Sequence, residues 1–180
     1  MIREPDRQRW ARPESYRPDW AERARLAAEI IPDGASVFEI GVGAGWFRDH
    51  IKSRCNYLGA DLEPLDPATL RLNLDSDSLP PGPFDFVVCL GVLEYLHYSE
   101  QAVGRMCRSG RSILCTYCFP RTPTHVFDAQ TNRAKRGWVN CLSRTEIAEL
   151  FGNAGFNSIR ELPYNSADDF EQILMHVTRT

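Results

Sequence analysis

The residues best suited to chemistry lie in one run, VFEIGVGAG, from Val37 to Gly45. An apolar stretch enters a loop with glycine at 41, 43 and 45, and a helical pattern begins at once with Trp46. Glycine reaches backbone angles closed to other residues and lets a ligand approach the main chain. A helix start behind such a loop offers unpaired N–H groups. Two carboxylates follow at informative distances. Asp61 lies 20 residues after Gly41, at the end of the next apolar stretch, where an acid can accept hydrogen bonds from both hydroxyls of a ribose. Asp75 ends the stretch after that. It is placed to take the amino group of an adenine, with the N–H of Ser76 meeting a ring nitrogen. The combination points to a nucleoside-bearing cofactor.

The third glycine decides which kind. A dinucleotide fingerprint wants glycines at the first, third and sixth positions. Counted from Gly41, the sixth position is Trp46, whose indole would meet a pyrophosphate at the helix start. The observed glycines stand at positions one, three and five, with Glu39 two residues ahead of the first. A nicotinamide-dependent oxidoreductase is therefore the less favoured reading. A binding or scaffold protein without activity is a further alternative, against which the intact loop and both acids argue.

These residues need elements to hold them. Helical spacing from about Asp19 to Ile31 puts Trp20, Ala24, Ala27 or Ala28, and Ile31 on one face, with Asp19 as N-cap. Strands are predicted at 36–40, 56–60, 70–74, 84–90 and 111–118, with two more at 157–162 and 171–178. Helices are predicted at 46–53, 99–107 and 143–154, the last with a capping-box start, Ser143-x-x-Glu146. FDFVVCL, from Phe84 to Leu90, has the unbroken apolar character of a strand buried on both faces. Alternating strands and helices predict an α/β fold, a mostly parallel sheet with helices on both faces. Residues 1–18 form an irregular arm, broken by prolines at 5, 13 and 18, and 19–180 form one domain. The arm reads as either a solvated lead-in or a lid over substrate.

The run E-I-G-V-G-A-G resembles motif I of the class I S-adenosylmethionine-dependent methyltransferases. G-A-D-L-E-P, L-D-S-D-S-L-P and F-D-F-V-V-C-L-G-V-L-E-Y-L follow in the order and at the intervals of that superfamily. The resemblance spans roughly residues 20 to 178. It implies a three-layer Rossmann-like sandwich whose seven-stranded sheet ends in an antiparallel C-terminal hairpin strand. It implies S-adenosylmethionine as cofactor and S-adenosylhomocysteine as product. Gly41, Gly43 and Gly45 would pass beneath the methionine and ribose parts, and Glu39 would support the loop or reach the ammonium through water. Asp61 would hold the ribose diol, and Leu62 would pack on the adenine. Asp75 and the Ser76 N–H would read its edge. The Leu90 carbonyl would face the ammonium, and Gly91 would adjoin the transfer channel. Tyr95 departs from the His of many relatives, which puts a catalytic role there in doubt.

Methyl transfer is an in-line displacement that needs alignment above all; an oxygen acceptor gains from a nearby base. His125, in a long polar stretch, is the leading candidate, with Glu94 after the fourth strand and Tyr117 at the end of the fifth. Glu94 also suits local backbone bonding, and Tyr117 suits packing. The stretch 119–137 carries Arg121, His125, Arg133, Lys135 and Arg136 against Asp128, which favours an anionic acceptor. The stretch W-V-N-C-L-S-R-T-E-I-A-E-L-F-G-N-A-G-F resembles bacterial methyltransferases found with surface-polysaccharide genes. A sugar or other small polar metabolite is the acceptor it suggests.

Composition narrows the rest. A formal charge of −3 over 180 residues is not that of a nucleic-acid clamp. Arginine outnumbers lysine 19 to 2, a dispersed bias and not a site. No apolar run reaches the ~20 residues of a membrane span, and the N-terminal residues lack the apolar core of a signal peptide, so the expected location is the cytoplasm. Cys115-x-x-Cys118 has no second ligand pair at zinc spacing, and no metal is expected. Oligomeric state is not legible.

Overall fold

The computed structural model describes residues 7–18, 20–120, 133–165 and 170–180. Seven strands form a single sheet: β1 Ser36–Ile40, β2 Asn56–Asp61, β3 Leu70–Arg71, β4 Phe84–Cys89, β5 Gly110–Pro120, β6 Ser158–Asn165 and β7 Phe170–Thr178. The spatial order is β3-β2-β1-β4-β5-β7-β6. β1 pairs in parallel with β2 and β4, β2 with β3, and β4 with β5. β7 runs antiparallel between β5 and β6. The chain moves outward from β1 to β3 and then crosses to β4 on the other side of β1. That reversal opens a crevice at the carboxyl ends of β1 and β4.

Residues alternate between two cores, which is why the strand sequences are apolar without a break. Phe38, Ile40, Val87, Cys89, Ile113, Cys115, Ile173 and Met175 face one side. Val37, Val88, Leu114 and Leu174 face the other. The first side is covered by α4 (Ser99–Ser109) and α5 (Arg144–Asn153) through Val103, Met106, Ile147 and Phe151. The second is covered by α2 (Trp20–Ile30) and α3 (Trp46–Ile51) through Ala24, Ala27, Ala28, Phe47 and Ile51. The expected capping box is present at α5, where Ser143 Oγ accepts from the Glu146 N–H and Glu146 Oε2 from the Ser143 N–H. Asp19, expected to cap α2, lies outside the described residues.

Several boundaries differ from the sequence pattern by one to three residues, among them the end of β6, which runs on to Asn165, and two bear on the site. β3 pairs only at Leu70 and Arg71. Beyond it, Asn73 Oδ1 accepts the Asp75 N–H at 3.0 Å and Asp77 Oδ2 accepts the Asn73 N–H at 2.8 Å, turning the chain away while Leu72 and Leu74 drop into the core. β5 runs two residues further than expected because β7 pairs with it as far as Pro120, opposite Phe170. Cys115 and Cys118, three apart on β5, point to opposite faces of the strand.

Before α2, the chain forms a one-turn helix, α1 (Arg7–Trp10), and a 3-10 turn at Pro13–Ser15. Among the described residues no helix is long and apolar enough to cross a membrane.

Candidate functional site

The crevice at the carboxyl ends of β1 and β4 is a cleft of about 1220 Å³, its open mouth included. The glycine loop forms its floor. The N–H groups of Gly41 and Val42 both point to the Ala60 carbonyl at the end of β2, at 2.8 and 3.4 Å. Gly41, Gly43 and Gly45 have φ of 84°, 53° and 80°, angles that side chains disfavour. A Cβ on Gly41 would lie 2.4 Å from Val92 Cγ2, and one on Gly43 would lie 2.7 Å from Tyr16 Cε1. At these two points Val92 and Tyr16 already lie against the glycines, so no larger residue fits there.

Asp61 is buried at the tip of β2 and holds the loop directly. Its Oδ2 accepts the Gly43 N–H at 2.8 Å and its Oδ1 the Glu63 N–H at 3.1 Å. Burial lifts its pKa above the ordinary carboxylate value, and the N–H groups of Gly43, Glu63 and Leu62 pull it back. Asp61 itself lines the cleft. Leu62 lines the wall beside it.

Glu39 is buried beneath the loop and does not line the cleft. It accepts a hydrogen bond from the Tyr57 hydroxyl. Burial pushes its carboxyl up to about 8 despite that bond. Gly45 also lies off the lining, with Arg48 over it. Asp75 does line the cleft, but both its oxygens are engaged: Oδ2 accepts the His97 N–H at 3.1 Å and Oδ1 the Tyr98 N–H at 3.0 Å. The Ser76 N–H donates to the Asn73 carbonyl at 3.1 Å, so the backbone edge expected to read a ring nitrogen is used within its own turn.

Leu90 and Gly91 line the cleft where β4 ends. Gly91, at φ 72°, donates to Thr116 Oγ1 at 2.7 Å. The Leu90 carbonyl accepts from Arg23 Nη2 at 3.3 Å.

Of the proton-handling candidates, Glu94 and Tyr117 are buried and neither lines the cleft. Glu94 Oε1 accepts the Cys118 N–H at 3.0 Å, its Oε2 has no hydrogen-bond partner among the described residues, and burial raises its pKa. The Tyr117 hydroxyl donates to Asn140 Oδ1 at 2.7 Å and accepts from Arg133 Nη2 at 2.8 Å and the Leu142 N–H at 2.7 Å. Arg133, buried as well, also donates to the Cys118 and Asn140 carbonyls at 2.7 and 2.8 Å. Together they bracket residues 133–142 against the end of β5, and Gly137 and Val139 of that segment line the cleft. His125, Arg121 and Asp128 lie outside the described residues.

Sequence reasoning left the arm open between a solvated lead-in and a lid, and named none of its residues for the site. Arg9, Trp10, Tyr16, Trp20 and Arg23 all line the cleft. The Trp10 ring meets the Tyr95 ring edge-on at 5.1 Å, and the Tyr16 hydroxyl donates to the Trp10 carbonyl at 2.9 Å. Arg7 pairs with Glu63 at 2.8 Å and Arg9 Nη1 donates to the Arg136 carbonyl at 2.7 Å, so the arm is tied down on both sides of the opening. The available signal was three aromatic residues at 10, 16 and 20 in an otherwise polar stretch. Charge divides the cleft: its carboxylates, Asp61 and Asp75, lie on the floor side, whereas the roof carries Arg9 and Arg23 among aromatic rings.

The same architecture occurs in solved structures. Magnesium protoporphyrin IX methyltransferase from Synechocystis PCC 6803, with bound S-adenosylhomocysteine, superposes with a TM-score of 0.67 at 16% identity, over 90% of this chain and 82% of that one. The N-terminal domain of EvdMO1, determined in the presence of S-adenosylhomocysteine and D-fucose, gives 0.66 at 21% identity over 91% and 84%. The methyltransferase-type chain in complex with the Trm112 methyltransferase activator of Haloferax volcanii gives 0.71 at 16% identity over 99% of each. A search of curated proteins finds no significant match. The family model described as a methyltransferase domain matches residues 9–161, from the arm over the cleft to β6. By that match the chain belongs to the methyltransferase-domain family.

Proposed function

We propose that the chain transfers the methyl group of S-adenosylmethionine to a small polar or anionic acceptor, with a sugar or nucleotide-linked sugar as the leading class. The observation that carries this reading is Asp61 bonded to Gly43. The carboxylate of β2 fixes the loop at a left-handed angle where Gly43 packs against the Tyr16 ring too closely for any side chain, and it stands at the cleft wall, within reach of a ribose diol. Trp46 lines the cleft at the helix start, where a diphosphate would have to sit, which disfavours the nicotinamide alternative.

When bound, S-adenosylmethionine supplies a methyl group on a sulfonium sulfur. The chain supplies position. Gly41 and Gly43 admit the thioether region, Asp61 holds the ribose, and Leu62 packs on the base. Gly45 and Glu39 act from behind, keeping the loop in shape. Asp75, engaged by His97 and Tyr98, shapes the adenine end, with Ser76 in the turn behind it. The Leu90 carbonyl takes the ammonium, and Gly91 leaves the transfer path open. The arm excludes water. Glu94 and Tyr117 set the acceptor wall from behind, and the proton of the acceptor is assigned to His125, with His97 at the cleft wall as the comparison position.

The sugar class draws on the resemblance of residues 138–156 to surface-polysaccharide methyltransferases and on the D-fucose present with a fold neighbour. The roof cations favour an anionic group on the acceptor. The test is transfer of label from S-adenosylmethionine to a panel of sugars, nucleotide sugars, small acids, tRNA and protein. Label in sugars or small acids is expected; label in nucleic acid or protein alone rejects the acceptor class. Binding of NADH but not S-adenosylhomocysteine in calorimetry rejects the reaction.

A further inference from the structure

We propose that Arg23 reads the carboxylate of the cofactor's amino-acid tail and so makes the site selective for a cofactor that carries one. This rests on the S-adenosylmethionine reading above. Arg23 leaves α2 and crosses the end of β4. Its Nη1 lies 2.5 Å from where a Cβ on Gly91 would be, and its guanidinium stands 4.9 Å from the centre of the Trp20 ring. Its Nη2 reaches the Leu90 carbonyl at 3.3 Å.

What sets it apart is its partners. Arg7, Arg25, Arg48, Arg54 and Arg144 each pair with a carboxylate at 3.2 Å or closer. Arg23 has no ion pair among the described residues, although it lines the cleft. Glu39 and Glu94 lie close enough for its charge to lower their pKa values, but both are buried behind the wall and neither bonds to it. A guanidinium has five N–H donors in a planar fork that suits a carboxylate, and the Leu90 carbonyl and the Tyr164 hydroxyl, both uncharged, leave donors over for one. The other roof cation, Arg9, is held by the Arg136 carbonyl on the far side of the opening.

The tail fits this arrangement because it carries an ammonium and a carboxylate on one carbon. The Leu90 carbonyl has two lone pairs, enough for the ammonium beside the guanidinium. The carboxylate then meets the fork of Arg23, away from Asp61 and Asp75. An anion on the acceptor has the same chemistry, so the test is made without acceptor.

Calorimetry on the full chain compares S-adenosylhomocysteine, its decarboxylated amine and 5′-deoxy-5′-methylthioadenosine, which lacks the tail. Arg23→Met is expected to weaken S-adenosylhomocysteine at least tenfold and to change the other two less than twofold, their retained binding showing that the variant is folded. Arg23→Lys recovers part of the loss. Equal weakening of all three ligands, or no weakening of S-adenosylhomocysteine, overturns the proposal; the second result with a raised KM for acceptor assigns Arg23 to the acceptor instead. A wild-type chain that binds methylthioadenosine as tightly as S-adenosylhomocysteine also overturns it. A wild-type chain that binds none of the three removes the cofactor reading itself.

Discussion

Asp61 and Gly43 hold each other: the Asp61 carboxylate fixes the loop through the Gly43 N–H at 2.8 Å, and its other oxygen takes the Glu63 N–H at 3.1 Å. Both oxygens therefore face donors. An asparagine must turn its NH₂ toward one of them in either orientation, so Asp61→Asn is expected to be no milder than Asp61→Ala. Each should weaken S-adenosylhomocysteine at least tenfold by calorimetry. Each should also lower the ligand-free melting temperature, since an orphaned buried donor costs about 1–3 kcal/mol.

Glu39 gives a pH signature. Its folded carboxyl sits at about 8 against an ordinary value of 4.5, because burial disfavours the charge. A raised folded pKa means a stabilising contribution that is complete below pH 4.5 and is lost as pH rises through about 8. Glu39→Gln is neutral throughout and can still accept from Tyr57. Its melting temperature relative to wild type should therefore climb between pH 5 and pH 8.5. A difference that is flat across that range contradicts the assignment.

Tyr117 separates a bracket from a base. Its hydroxyl has one donor and two acceptor sites, and Asn140, Arg133 and Leu142 use all three. Tyr117→Phe should lower stability by about 1–3 kcal/mol in denaturant melts while leaving S-adenosylhomocysteine affinity within twofold. Unchanged stability with lost turnover would instead make the hydroxyl a proton carrier.

The arm should govern release. Trp10→Ala removes the edge contact with Tyr95, and Arg7→Ala removes the tie to Glu63. Either change is expected to speed S-adenosylhomocysteine dissociation several-fold in stopped-flow fluorescence, with Trp20 as reporter in the first variant. Equal rates in wild type and both variants count against a covering role.

The floor of the site was legible because its determinants are local. Glycine spacing, an acid twenty residues on and an unbroken apolar strand are one-dimensional signals with direct structural causes. The capping box at Ser143 and Glu146 is of the same kind. Asp75 shows where such signals end. Its spacing suits an adenine, but its oxygens meet the N–H groups of His97 and Tyr98, more than twenty residues away, and no periodicity announces that pairing. The early end of β3 follows from an Asn73 side-chain turn that propensity does not weigh against apolar Leu72 and Leu74. The sequence did not decide between a lead-in and a roof for a related reason. Prolines mark the arm as broken, yet where a broken segment comes to rest depends on long-range contacts such as Arg7 with Glu63 and Trp10 with Tyr95.

The placement of β7 reaches into the life of the nascent chain. β7 follows the other six strands in sequence yet lies inside the sheet, hydrogen-bonded to β5 on one flank and β6 on the other. Until Thr178 has been synthesised, the long edge of β5 stays unpaired along most of its length, and a bare edge of that kind invites mispairing with other chains. Assembly of the half that carries Tyr117 and Cys118 must therefore wait for β7, whereas the glycine loop and Asp61, built from the first two strands, are complete long before.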